Sequence, residues 1–304
     1  MTATKSITGS LITFVVITII ATAVLTISCT SGKEANGRIG IVVTIPPQAE
    51  FVRQIGGENV NVTIMVPSGA SPHTYSPTPR QMTDVANAEM YAKVGSEIAF
   101  ELAWLDKIIA QNRDMLIVDC SEGIILQENA GDHDHQDDGA EQSELDPHIW
   151  VSPLNAIRMV RYIYDGLIQI DPDSKAYFEG NMNPYINELE DLDRDIRDSI
   201  PDEGDRLFMV YHPSLGYFAR EYDLTMLSIE EEGKEPTAAG LTDLIQQAED
   251  HNIKTIFTSP QFNQQSAEAI ARQIGAKVVI FDPLAEEYIM NMRSFVNELA
   301  LALQ

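Results

Sequence analysis

The chain has 304 residues, 44% of them hydrophobic, and its 46 acidic against 20 basic side chains give a formal net charge of −26. That apolar content excludes a disordered chain, and the charge excludes a nucleic-acid binder, which needs Lys and Arg against phosphate. The length fits one large domain or two lobes of about 100–150 residues each, with most of the carboxylates forming a solvated surface.

Residues 1–29 read as a targeting segment outside the fold. Lys5 supplies a positive start, Leu11 to Ile27 is a run of apolar residues and threonines, and Ser28-Cys29 follows. A cysteine after a small residue has the form of a lipoprotein processing site, with Cys29 the lipidated residue. Thr26 stands where a bacterial lipobox usually has Leu, so an uncleaved N-terminal anchor is the alternative. Either form places the rest of the chain outside the cytoplasm. Residues 30–38, "TSGKEANGR", read as a polar tether. With Cys29 lipidated, Cys120 has no partner; it follows the apolar run "MLIVD" and reads as a buried small hydrophobe.

From Ile39 onward, β-rich runs alternate with helical patterns. Strands are predicted at 39–45, 60–66, 90–94 and 115–119, with helices near 47–56, 78–88 and 97–112. The pattern recurs with strands at 206–211, 225–229, 255–258 and 277–281 and helices near 214–222, 237–251, 263–274 and 286–303. Strands separated by helices imply parallel sheets with covered faces. The predicted fold class is therefore α/β: two lobes, 39–171 and 201–304, each a mostly parallel β-sheet flanked by helices.

One long helix over 172–200 is predicted to join them. Phe178, Met182, Tyr185, Leu189, Leu192 and Ile196 form an apolar stripe at spacings of three and four, ending at Ser199. Pro184 interrupts it and is expected to kink or divide the helix. Pro201 marks its end.

Four residues stand where strands end or turns begin. His73 lies in the proline-rich loop "PSGASPHTYSPTP" after the second strand, and His148 in "DPHIWVSP". His212 follows "LFMVY" and Asp282 follows "KVVIF". Open α/β sheets bind ligands at the carboxyl ends of strands. Singly, each residue fits an ordinary turn or loop hydrogen bond. Together, three imidazoles and a carboxylate suit a four-coordinate zinc site, and their wide spacing requires the fold to assemble it. Upstream of His148, an acidic stretch holds His133 and His135, which read as a weak accessory metal site or as a solvated loop.

The stretches "SPHTYSPTPRQM", "LDPHIWVSPLNAI", "VYHPSLGYFAREYDL", "IEEEGKEPTAAGL" and "FDPLAEEYIMNM" resemble the metal-specific solute-binding proteins of ABC importers, the zinc and manganese family. The resemblance runs from Ile41 to near the C-terminus. It implies two lobes joined by a rigid helix, one metal in the cleft, and His73, His148, His212 and Asp282 as its ligands. Manganese-type members usually have a carboxylate where this chain has His212, so Zn2+ is expected over Mn2+ or Fe2+. The implied partner is an ABC importer permease, with attachment to the membrane through an N-terminal lipid or anchor and a monomeric state. Relatives often carry an acidic residue at the position of Ser259 and a longer His-rich loop before His148.

Trp150, Tyr211, Tyr217 and Phe218 flank the ligand motifs, as pocket walls or as lobe core, Phe218 as core; His251 reads as a surface residue. Asn61, in "NVT", fits a glycosylation pattern but lies in a predicted strand. Two other functions compete with transport. A catalytic zinc keeps an open water position beside three protein ligands, and here a fourth protein ligand is available with no HExxH motif, so the chain is read as no enzyme. A surface adhesin that merely binds metal is the other.

Overall fold

The computed structural model describes residues 37–128, 145–201, 204–230 and 236–304. The expectations for residues 1–29, for Cys29, and for His133 and His135 lie outside the described residues.

The N-lobe sheet is formed by β1 (Ile39–Val43), β2 (Val60–Ile64), β3 (Met90–Lys93) and β4 (Leu116–Asp119), all parallel, in the order β2-β1-β3-β4. Its crossovers are α1 (Pro46–Gly56), α2 (Pro79–Asn87) and α3 (Ala99–Gln111). The C-lobe repeats the design. Strands β5 (Leu207–Val210), β6 (Thr225–Ser228), β7 (Thr255–Thr258) and β8 (Lys277–Ile280) are parallel in the order β6-β5-β7-β8. In each sheet the second crossover reverses direction, which opens a crevice at the carboxyl ends of the strands.

Helix α4 (Pro153–Ile170) was not read from the sequence. Its signals are present: Ser152 caps it by accepting from Asn155 N, and Pro153 occupies its first turn. It leads through a short 3-10 turn at Pro172–Ser174 into the linking helix α5 (Lys175–Ser199).

Pro184 does not divide α5, which runs as one element of 25 residues, about 37 Å at 1.5 Å per residue. The lost backbone donor is outweighed by tertiary packing, the main source of helical stability in proteins. The predicted stripe is buried from Phe178 to Ile196. Tyr185 Oη donates to Glu50 Oε1 of α1 at 2.6 Å, and Asn181 Nδ2 donates to Ile55 O at 3.0 Å. The C-lobe helices are α6 (Gly216–Glu221), α7 (Ala238–Asp250), α8 (Gln264–Ile274) and α9 (Tyr288–Ala302), and Arg293 of α9 pairs with Asp195 of α5 at 3.1 Å.

The largest hydrophobic cluster is continuous from β1 and α1 through α4 and α5 to Phe208, Phe257 and Phe295 of the C-lobe. The linking helix is therefore a spine shared by both lobes. Among the described residues, no helix is long and apolar enough to cross a membrane.

Candidate metal centre

The loop carrying His73 is shaped by its own residues. Ala70 N bonds Pro67 O, Thr74 N and Tyr75 N both bond Ser71 O, and His73 N bonds Ser71 Oγ. Thr78 and Gln81 form a capping box on α2. Gln81 Nε2 also donates to Ile64 O and Met65 O at 2.8 Å each, tying the loop to the end of β2.

His148 follows an Asp-Pro turn. Asp146 Oδ1 accepts from His148 N at 2.9 Å and from His148 Nδ1 at 2.8 Å. The ring is buried, and the carboxylate assigns the proton to Nδ1 and leaves Nε2 as the ligand atom.

His212 is placed by strand register. Tyr211 N bonds Phe257 O, and the chain after β6 runs beside it through Ile229 N to Val210 O and Glu230 N to Tyr211 O. This puts the buried Glu230 next to His212, and its Oε2 accepts from His212 Nδ1 at 2.8 Å. His212 Nε2 is buried and has no hydrogen-bond partner among the described residues. A buried imidazole nitrogen left without a partner carries an energetic cost that a metal ion would remove.

The three histidines converge. One ring nitrogen from each of His73, His148 and His212 lies within 4.8 Å of the others. The ring centroids of His73 and His148 stand 5.5 and 5.3 Å from that of His212. Phe262 stacks on His212 at 4.3 Å, and Trp150 lies 5.3 Å from His148. With Gln261 and Leu284 they wall an open recess over the three imidazoles. His73 forms its mouth and is exposed on one side.

The electrostatics favour the neutral ring at His73 and at His212. Burial, and then the neighbouring His212 and His148, lower the pKa of His73 to about 4. Burial lowers that of His212 as well, against the opposing pull of Glu230. Neutral imidazole is the form that binds a metal.

Asp282 does not join this group. It lies one residue beyond Phe281, whose N bonds Thr258 O, and next to the recess residue Pro283. Its Oδ1 accepts from Gln261 Nε2 at 2.8 Å and from Leu284 N at 2.9 Å. Both bonds fall on one oxygen.

The remaining expectations divide. Cys120 is fully buried, with its thiol pushed up by burial. Phe218 is lobe core, packed on Phe295 and Tyr222. Tyr211 belongs to the outer C-lobe core, Trp150 walls the recess, and buried Tyr217 reaches across to the N-lobe. His251 is exposed and pairs with Asp205. Ser259 is buried and lines a small cavity together with His212. Asp146 and Glu230, which hold two of the three imidazoles, were not singled out from the sequence. The "DPH" turn was a signal for Asp146; Glu230 is 18 residues from His212 and only the β5–β6 register reveals it.

Two parallel-sheet lobes on a helical spine, with three inward histidines at the seam, define a two-lobed solute-binding protein. Residues 41–302 match the family described as "Zinc-uptake complex component A periplasmic", and the chain belongs to that family. It is 29% identical over 270 residues to the zinc-binding lipoprotein AdcA of Streptococcus pneumoniae (strain ATCC BAA-255 / R6), covering 86% of this chain and 53% of that protein. It is 29% identical over 260 residues to the high-affinity zinc uptake system protein ZnuA of Bacillus subtilis (strain 168), covering 84% and 81%. The chain thus spans about half the length of AdcA. A crystal structure of ZnuA superposes with a TM-score of 0.80 at 37% identity, covering 88% of this chain and all of that one.

Proposed function

We propose that this protein captures Zn2+ outside the cytoplasm and delivers it to the permease of an ABC importer. The observation that carries the reading is the convergence of His73, His148 and His212, with Asp146 and Glu230 holding the outer nitrogens of the latter two. A tetrahedral site with Zn–N of about 2.0–2.1 Å needs nitrogens about 3.4 Å apart. The three donors, within 4.8 Å of one another, reach that spacing by small ring movements.

Three imidazoles favour zinc over manganese, which prefers oxygen donors. Asp282 is the proposed fourth ligand through Oδ2, with Gln261 and Leu284 retaining Oδ1. With Asp282 as fourth ligand, the site would have no place for the water that a catalytic zinc needs, as expected of a carrier rather than a hydrolase. The ion is cargo. Lipidation of Cys29 would hold the carrier at the membrane near its permease, and the relatives named as zinc-binding lipoproteins support that arrangement.

Competitive zinc titration of the purified protein tests the reading. One tight site per chain is expected, weakened strongly by alanine at His73, His148 or His212. Zinc binding unaffected by all three substitutions would overturn it.

A further inference from the structure

His148 belongs to the N-lobe, yet its segment is gripped at both ends by the C-lobe. At the leading end, the Tyr217 hydroxyl donates to Asp146 O at 3.1 Å and accepts from Gln127 N at 3.0 Å. Beside it, Gly216 leaves no room for a side chain: a Cβ there would sit 2.4 Å from Asp146 Oδ2. That carboxylate is the one whose Oδ1 holds His148 Nδ1. At the trailing end, Trp150 Nε1 donates to Pro283 O at 2.7 Å, and Trp150 O accepts from Tyr288 Oη at 2.8 Å. Tyr217, Trp150 and Tyr288 are all buried. The N-lobe's own hold on this segment includes Ser96 Oγ donating to Pro147 O.

The grips are not placed at random along the C-lobe. Gly216 and Tyr217 follow His212 in the same turn and first helical residues, and Pro283 is the neighbour of Asp282. Each C-lobe candidate ligand is thus continuous with a contact on one end of the segment that carries the N-lobe ligand. A displacement of either C-lobe segment moves both its own donor and His148.

We infer that Tyr217, Gly216 and Trp150 are positioning residues that set the reach between His148 and the C-lobe donors, so that the lobe seam tunes the metal geometry. The inference rests on the reading of the three histidines as a metal site. Well-formed metal sites hold their ligand distances within about 0.2 Å of the usual values. Loss of the Tyr217 hydroxyl frees Asp146 from one side, and a methyl at Gly216 pushes it from the other.

The test uses the full chain with Tyr217→Phe, Gly216→Ala and Trp150→Phe, none of which removes a proposed ligand. Each variant is titrated with cobalt and with zinc, and its thermal midpoint is recorded without metal. The cobalt d–d absorption bands report coordination geometry, which a merely structural loss of stability would not move. Expected are one cobalt per chain with bands shifted or changed in intensity, and zinc affinity lowered about 10-fold. A wild-type cobalt spectrum and zinc affinity within about two-fold for both Tyr217→Phe and Gly216→Ala would overturn the inference, whatever Trp150→Phe does. If the wild-type chain shows no histidine-dependent cobalt bands, the metal-site reading fails and this inference falls with it.

Discussion

The Glu230 carboxylate accepts the Nδ1 proton of His212 at 2.8 Å, and the opposite nitrogen of that ring is buried without a partner among the described residues. The pair forms because β6 lies alongside β5 and carries Glu230 past the end of the sheet to the turn that holds His212. A ring held this way has one tautomer and one direction.

Removing the charge of that partner is therefore expected to cost affinity without removing a ligand. Glu230→Gln should weaken zinc binding by about 10–100-fold while the protein stays folded. Competitive titration alongside circular dichroism checks both halves. An unchanged zinc affinity would mean that the carboxylate does not orient the ring.

The donor set also fixes metal preference. Replacing imidazole by carboxylate in His212→Asp is expected to lower zinc affinity and raise manganese affinity relative to it, because manganese prefers oxygen donors. The measured quantity is the ratio of the two dissociation constants in wild type and variant. A ratio that does not move would place metal selection elsewhere in the structure.

The metal-free protein should lose stability on mild acidification. His73 has its folded pKa lowered to about 4, with burial the first cause and the neighbouring histidine rings the next. In the unfolded chain a histidine takes up a proton near 6.5. The contribution is fully present above about pH 6.5 and is lost as pH falls toward 4, where the unfolded state binds the extra proton. Solvent on the open side of His73 moderates the size of the effect. Denaturation of wild type and His73→Asn at pH 7 and pH 5 checks it: the variant should show the shallower dependence. Equal slopes would remove His73 as the source.

Pro184 is exposed within α5 and leaves a gap in its hydrogen-bond ladder. Pro184→Ala restores a donor without removing buried surface, and a proline inside a helix costs about 3 kcal/mol. Part of that gain is returned through the greater freedom of the unfolded chain. A stabilisation of about 1–3 kcal/mol is expected from chemical denaturation. A destabilised variant would show that the interruption serves the spine.

Much of this architecture is written locally. Runs such as "IGIVV" and "TIFT", separated by helical patterns, mark both parallel sheets, because a buried strand announces itself by its own apolar residues. The proline-rich loop, the "DPH" turn and the strand-end position of His212 carried the three histidines for the same reason. What could not be read is what depends on neighbours distant in sequence. Pro184 is tolerated because α1, α4 and α9 pack on the stripe, and Glu230 becomes a partner only through strand register. The Tyr217 and Pro283 grips on the His148 segment exist only once the lobes meet. Asp282 shows the limit from the other side: its position at the end of β8 was legible, but its engagement with Gln261 and Leu284, apart from the histidine group, was not.

The central claim is most directly tested by a crystal structure of the zinc-loaded protein with anomalous scattering measured at the zinc edge. The expected result is a single strong peak in the recess, about 2.0–2.1 Å from one nitrogen each of His73, His148 and His212, with an Asp282 oxygen at similar distance. A dominant peak elsewhere, or one in the recess that fewer than two of these imidazoles touch, would contradict it.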